Sequence, residues 1–349
     1  VESKVAKEIM EYFKFRHLIF EFNDLLYLDY AGDGISLSSG TSIFKHGIQF
    51  HLFNTIKKEF SSQGTILGSA LDLTIGDSYN LPKSKNLDTK DDLINFYIRR
   101  LFNLDLISFK NLCNKKENYF DAIESVRECI QTNLKQISYS RFEDLNSSYL
   151  FKSKIKKWYN QNLIYHLINN KLILPTYDTH FLKSVSQVPY ELRENDSFRK
   201  ELLISINKDI SKINQNDTMQ PAYLPGEYCR FFSKQLEEID QYKEKIWFSS
   251  KQSIYIPSNR YDANFKEYYR VYPEYKYFFE SLVLDPSSII TSYFKKDNLK
   301  KIFDDHISGK CSNHKIINLL LSAELSCRMY NGEDIKLNNK AQNFLNFII

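Results

Sequence analysis

The residues best placed to do chemistry lie between Gly64 and Asn80, in GTILGSALDLTIGDSYN. The run Thr65-Ile66-Leu67 is short and apolar, which predicts a buried strand. It leads into Gly68-Ser69-Ala70, small residues that let backbone approach a ligand closely. Asp72 follows four positions after Gly68, and Gly76 closes the segment. A strand that ends in small residues with one carboxylate is where an open α/β sheet holds a phosphate or a metal. The competing account is an ordinary strand-to-helix turn capped by Asp72.

The elements that must position this segment can be read from periodicity. VESKVAKEIMEYF places Val5, Ile9 and Phe13 at helical spacing. His17 to Phe22 reads as a strand, and Ala31 to Thr41 as a polar, glycine-containing loop. A helix is expected from Ile43 to Phe60, then the strand at Thr65. Helix–strand–helix–strand over this length implies part of a parallel, doubly wound sheet. Beyond Asn80 the pattern turns helical: Asp91 to Phe102, Tyr119 to Gln136, Ser153 to Ile168, Ser197 to Lys212 and Cys229 to Lys251 are all expected helices. Two more close the chain, at Tyr293 to Ile307 and Lys315 to Tyr330. The expected fold is α/β: a partial doubly wound sheet over residues 1–80, followed by a large helical region over 81–349. Ligands in such folds sit outside the carboxyl ends of the strands. That sets Gly68 to Asp72, with Gly40-Thr41-Ser42, beside any active site.

Composition bounds the function. The 349 residues carry 47 basic and 43 acidic side chains, a net charge of +4, which gives no case for a nucleic-acid or membrane surface built on bulk charge. No apolar run approaches the ~20 residues of a membrane span. Five cysteines, none in a Cys-x-x-Cys pair, fit a reduced, cytoplasmic protein. The histidines lack zinc-ligand spacing, and neither a Gly-x-Ser-x-Gly elbow nor a Gly-x-x-x-x-Gly-Lys-Ser/Thr loop occurs. The basic runs Lys152 to Lys157 and Lys295 to Lys301 read as solvated helix faces, and the aromatic stretch Tyr261 to Phe279 as core. A helix at the first residue, which is Val1 rather than Met, is expected of a fragment of a longer protein.

Several segments taken in order resemble the C-terminal synthetase domain of the asparagine synthetase family, ATP pyrophosphatases of the pyrophosphate-loop type. GSALDLTIGDSY is similar to that family's Gly-x-Gly-x-Asp-Glu-x-x-x-Gly-Tyr loop, with Gly68, Asp72 and, within one position, Tyr79 matching. Leu174-Pro175-Thr176-Tyr177-Asp178, with Val188-Pro189-Tyr190-Glu191-Leu192-Arg193, resembles its Pro-Phe-Leu-Asp and Leu-Pro-x-x-x-Arg segments. Phe198 to Leu203 is similar to its Lys-x-x-Leu-Arg helix. His306 to Lys310 and Leu321 to Leu325 resemble its closing Asp-His-x-x-Gly and Glu-x-x-x-Arg helix pair.

The resemblance implies an adenine nucleotide alpha-hydrolase-like fold and an ATP-dependent, amide-forming ligase. A carboxylate is adenylated, pyrophosphate leaves, and ammonia, delivered from glutamine by a further domain, attacks the acyl adenylate. Magnesium neutralises the phosphates. By the same resemblance Asp72 holds the metal and, with Asp178, serves the reaction; Gly68, Ser69, Gly40 and Thr41 border the nucleotide. The family's Ser-Gly-Gly-x-Asp-Ser phosphate loop is not in this chain. It is expected roughly 30 residues upstream of Val1, one βα unit away, so the chain by itself should not turn over ATP. Ser69 and Leu73 stand where the family carries glutamates, Ala70 where it carries glycine, and no lysine occurs from Ile213 to Pro221, although Lys212 lies just before. These departures support an alternative: a degenerate, non-catalytic relative acting as a binding or scaffold module. A third reading keeps the chemistry and changes the acceptor. Arg193 is expected to pair with a core carboxylate or reach a phosphate, Asp178 to cap a helix or serve the site, and His306 and Glu324 to serve packing or surface contacts.

Overall fold

The computed structural model describes residues 2–20, 23–40, 42–60, 64–68, 87, 89–102, 106–139, 142–153, 163, 171–193, 197–214, 220–221, 223–224, 226–250, 254, 256 and 264–333. Most of these are helical, and the sheet among them is two short parallel strands, β1 (Thr65–Ile66) and β2 (Leu172–Ile173). The chain forms two compact units. One contains 1–22, 71–79 and 178–264; the other contains 23–70, 80–177 and 265–349. The expected regions 1–80 and 81–349 each contribute to both units.

In the first unit, the opening helix Glu2–Phe13 ends where Lys14 takes a positive φ of 57°. Residues 15–20 then run without regular structure, with Leu18 and Ile19 exposed. This corrects the strand expected from His17, whose last residues lie outside those described. An apolar run makes a strand only where another strand accepts its N–H and C=O groups, and none of the described residues pairs with 17–20. Among the described residues, the other α-helices of this unit are Thr179–Ser186, Tyr190–Arg193, Ser197–Ile206 and Gly226–Ser249.

In the second unit, the expected polar loop at 31–41 is instead a helix, Ala31–Leu37, with every residue buried. Glycine and serine there serve close packing rather than a turn. A Cβ on Gly34 would stand 2.5 Å from the Phe44 carbonyl oxygen, and one on Gly47 only 1.8 Å from the Tyr30 carbonyl oxygen. Backbone therefore crosses backbone where Ala31–Leu37 meets the start of the Gly47–Phe60 helix. Ser38 returns its hydroxyl to the carbonyls of Gly34 and Ile35, at 2.8 and 3.0 Å, which satisfies it inside the core.

The core of this unit is aromatic. Phe279 and Phe303 stack with ring centroids 4.3 Å apart, and Phe44, Tyr269 and Tyr275 are fully buried beside them. The stretch expected to fill the core does so through Phe265, Tyr268, Tyr269, Tyr275 and Phe279. Asp24 receives the hydroxyls of Tyr268 and Tyr272 on its carboxylate, at 2.6 and 2.8 Å, and that of Tyr275 on its backbone carbonyl. The hydrogen bond to Asp24 raises the pKa of Tyr272. The helices Lys90–Phe102, Lys116–Lys135, Lys296–Ile307 and His314–Tyr330 fall close to the periodic segments from which they were read.

Candidate functional site

The strands place two of the predicted segments together. β1 and β2 are parallel, with Thr65 opposite Leu172 and Ile66 opposite Ile173. Thr65 N–H donates to Lys171 O at 2.8 Å, and Leu67 N–H to Ile173 O at 3.1 Å. Gly68 follows two residues after Ile66, and the Pro175–Tyr177 3-10 turn begins two residues after Ile173. Both segments thus leave the carboxyl ends of hydrogen-bonded neighbours, where open α/β sheets bind ligands. Sequence alone found each segment and not their adjacency, because more than 100 residues separate the strands.

Among the described residues, no atom stands within 4 Å of the Cβ side of Gly68. Ser69, Asp72 and Thr41, the other residues read as nucleotide- or metal-binding, lie outside the described residues. Gly40 is described: its φ is +73°, and its N–H closes the Ala31–Leu37 helix on Ile35 O at 2.8 Å. Its Cβ side faces Ser326 and Tyr330, and Tyr330 OH bonds Ser39 O at 2.7 Å. The turn at Gly40 is therefore moulded against the closing helix.

Asp178 caps the Thr179–Ser186 helix. Its Oδ1 accepts from His180 N–H at 2.9 Å and Phe181 N–H at 3.0 Å. These are two of the donors that a helix start leaves open. Asp178→Ala is expected to cost about 1 kcal/mol of stability, and Asp178→Asn a few tenths, because asparagine caps nearly as well. Urea unfolding of the two variants checks this. Full activity in the asparagine variant would confine Asp178 to capping. Arg193 is half-buried at the end of Tyr190–Arg193.

Glu324 and His306, expected in packing or at the surface, are both fully buried. The Glu324 carboxylate accepts from Ser288 Oγ at 3.0 Å, Ile289 N–H at 3.1 Å and Ile290 N–H at 3.0 Å. Arg328 Nε completes the set at 2.7 Å. A carboxylate so saturated with donors is a structural group. The Glu-x-x-x-Arg spacing was its sequence signal, since i and i+4 meet on one helix face.

His306 Nδ1 accepts from Asn313 N–H at 3.2 Å, which assigns its proton to Nε2. Arg270 Nε donates to the His306 carbonyl at 2.9 Å, and the ring of His314 lies 6.2 Å away. Burial, then the charges of Arg270 and His314, hold the His306 pKa down at about 3. Burial and the cations Lys315, Lys266, Arg270 and Lys45 hold His314 at about 4. Lys45 is lowered too, by burial and by Lys315. This end of the second unit is a positively charged locus whose two imidazoles stay neutral.

Among the described residues, no three His, Cys, Asp or Glu side chains stand together as a metal site, and no helix is long and apolar enough to cross a membrane. An open apolar depression is lined by Leu28, Pro273, Glu274, Tyr277 and Phe278, with Glu274 and the Tyr277 phenol as its ionisable groups. No protein-family model, curated protein or solved structure matches this chain.

Proposed function

We propose that the chain is part of an asparagine-synthetase-like, ATP-dependent, amide-forming ligase of the cytoplasm, acting through an acyl adenylate with release of pyrophosphate. The observation that carries the reading is the parallel β1–β2 pair. It supports a site at the strand ends, because Gly68 and the Pro175 segment are the two stretches that resemble nucleotide-side motifs of that family. In this reading the pair is the described portion of a doubly wound sheet. ATP supplies the activating group and magnesium the charge neutralisation. The open side of Gly68 among the described residues fits a phosphate-side contact, and Asp72 would hold the metal through oxygen. A small carboxylate is the acceptor, and ammonia from a glutaminase domain the nitrogen donor.

The test uses the longest form of the protein that its gene encodes. With ATP, magnesium and candidate carboxylates, pyrophosphate release is expected. Asp72→Asn is expected to lower it about 100-fold or more, as loss of a metal-positioning charge does. Ser69 and Leu73, in place of two glutamates, favour a second reading: a non-catalytic relative serving as a binding or scaffold module. Absence of both nucleotide binding and pyrophosphate release in that form would establish the second reading over the first.

A further inference from the structure

The helix Gly226–Ser249 in the first unit carries an apolar stripe that its own unit leaves uncovered. Tyr228, Phe231, Ile239, Tyr242 and Ile246 are between 41% and 65% exposed, and Gln235 completes the line. At 100° per residue these six positions fall within about 80° of the helix circumference. Trp247, about 120° round the helix from the middle of the stripe, is buried. The steps along the stripe are three, four, four, three and four residues, an 11-residue repeat from Tyr228 to Ile239, Phe231 to Tyr242 and Gln235 to Ile246. Such a repeat keeps an apolar line nearly straight along a helix, about 27 Å from Tyr228 to Ile246. A patch of this kind in a globular protein marks an interaction surface.

The stripe is close to symmetric about position 237. Turned end for end on itself, it sets Tyr228 against Ile246, Phe231 against Tyr242 and Gln235 against Ile239. A two-fold antiparallel pairing brings each flank of the helix against the same flank of the other copy. On one flank stand Lys234 and Glu238, and the symmetric register sets Lys234 of one copy within about 3 Å of axial level of Glu238 of the other. Opposite charges therefore meet twice across the axis.

We propose that the Gly226–Ser249 helix is a self-association surface, pairing antiparallel with the same helix of a second copy of this chain. The inference is independent of the ligase reading. It is tested by sedimentation and light scattering on the full 349-residue chain. The wild type is expected to dimerise at concentrations up to about 100 μM, a range in which a micromolar dimer is essentially formed. Phe231→Glu with Tyr242→Glu is expected to weaken the dimer about 100-fold or more while helical circular dichroism is kept, since both side chains are already exposed. Lys234→Glu is expected to weaken it about 10-fold, and Lys234→Glu with Glu238→Lys to restore it. A wild type that stays monomeric, or a dimer that survives the double glutamate change, overturns the proposal. A charge reversal without effect, or one that the swap does not rescue, overturns the antiparallel pairing.

Discussion

Glu324→Ala is expected to destabilise the protein by about 3–5 kcal/mol, the cost of breaking a buried ion pair from one side. The carboxylate is fully buried and is the shared acceptor for a hydroxyl, two backbone N–H groups and a guanidinium. Its removal leaves Ile289 and Ile290 N–H without their acceptor where the Ile289–Ser292 turn begins, and each such loss costs about 1–3 kcal/mol. The turn leads into Tyr293 and Lys295, whose backbone pairs with Asn114 and Leu112 at 2.8 and 2.9 Å, so the loss is expected to spread to that contact. Arg328→Met should cost somewhat less, about 2–3 kcal/mol: it leaves a fully buried carboxylate without its counter-charge, but Glu324 keeps its other three donors. Urea unfolding of the two variants checks both. Equal, small losses would show that the carboxylate is not the organising group.

The second large effect is acid destabilisation through His306 and His314. Both are neutral when folded down to about pH 4, with pKa values near 3 and 4. In the unfolded chain each returns to about 6.5. The unfolded state therefore binds more protons between those limits, and stability falls as the pH is lowered. The contribution is complete above pH 6.5 and is lost progressively down to about pH 4 to 3, at up to about 1.4 kcal/mol per pH unit for each histidine. The groups that oppose protonation are Arg270, Lys266, Lys315 and Lys45, together with the burial of the rings. His306→Gln can still offer an acceptor to Asn313 N–H. It is expected to be less stable at pH 7 and to show about half the wild-type slope between pH 6.5 and 4.5. Urea midpoints measured across that interval decide it, and a wild-type midpoint unchanged from pH 7 to pH 5 rules the mechanism out.

How much of this was legible in the sequence differs between elements for identifiable reasons. Lys116–Lys135 and His314–Tyr330 repeat apolar residues at helical spacing over several turns, a local signal that tertiary packing then uses. The Thr65 strand was legible because β-branched and apolar residues run into a glycine, but it is not the buried strand expected: Ile66 is 70% exposed. Ala31–Leu37 was not, because glycine, aspartate and serine carry turn propensity, and only the close passage of the Gly47 helix makes small residues necessary there. His17 to Phe20 misled for the converse reason: the apolar run is present, and the strand partner is not among the described residues.

By itself the sequence determined the long periodic helices, such as Lys116–Lys135 and His314–Tyr330, and that charge is too balanced for bulk attraction to nucleic acid. Those properties follow from side-chain type and spacing along the chain. The tertiary structure decided that Thr65–Ile66 pairs with Leu172–Ile173, and so that the Gly68 and Pro175 segments leave the sheet side by side. It also decided that Glu324 gathers three donors from the distant stretch Ser288 to Ile290, beside Arg328 of its own helix, and that His306 stays uncharged. These are long-range facts: strand pairing and burial depend on which distant backbone groups and charges arrive at a residue, and no local pattern encodes that arrival.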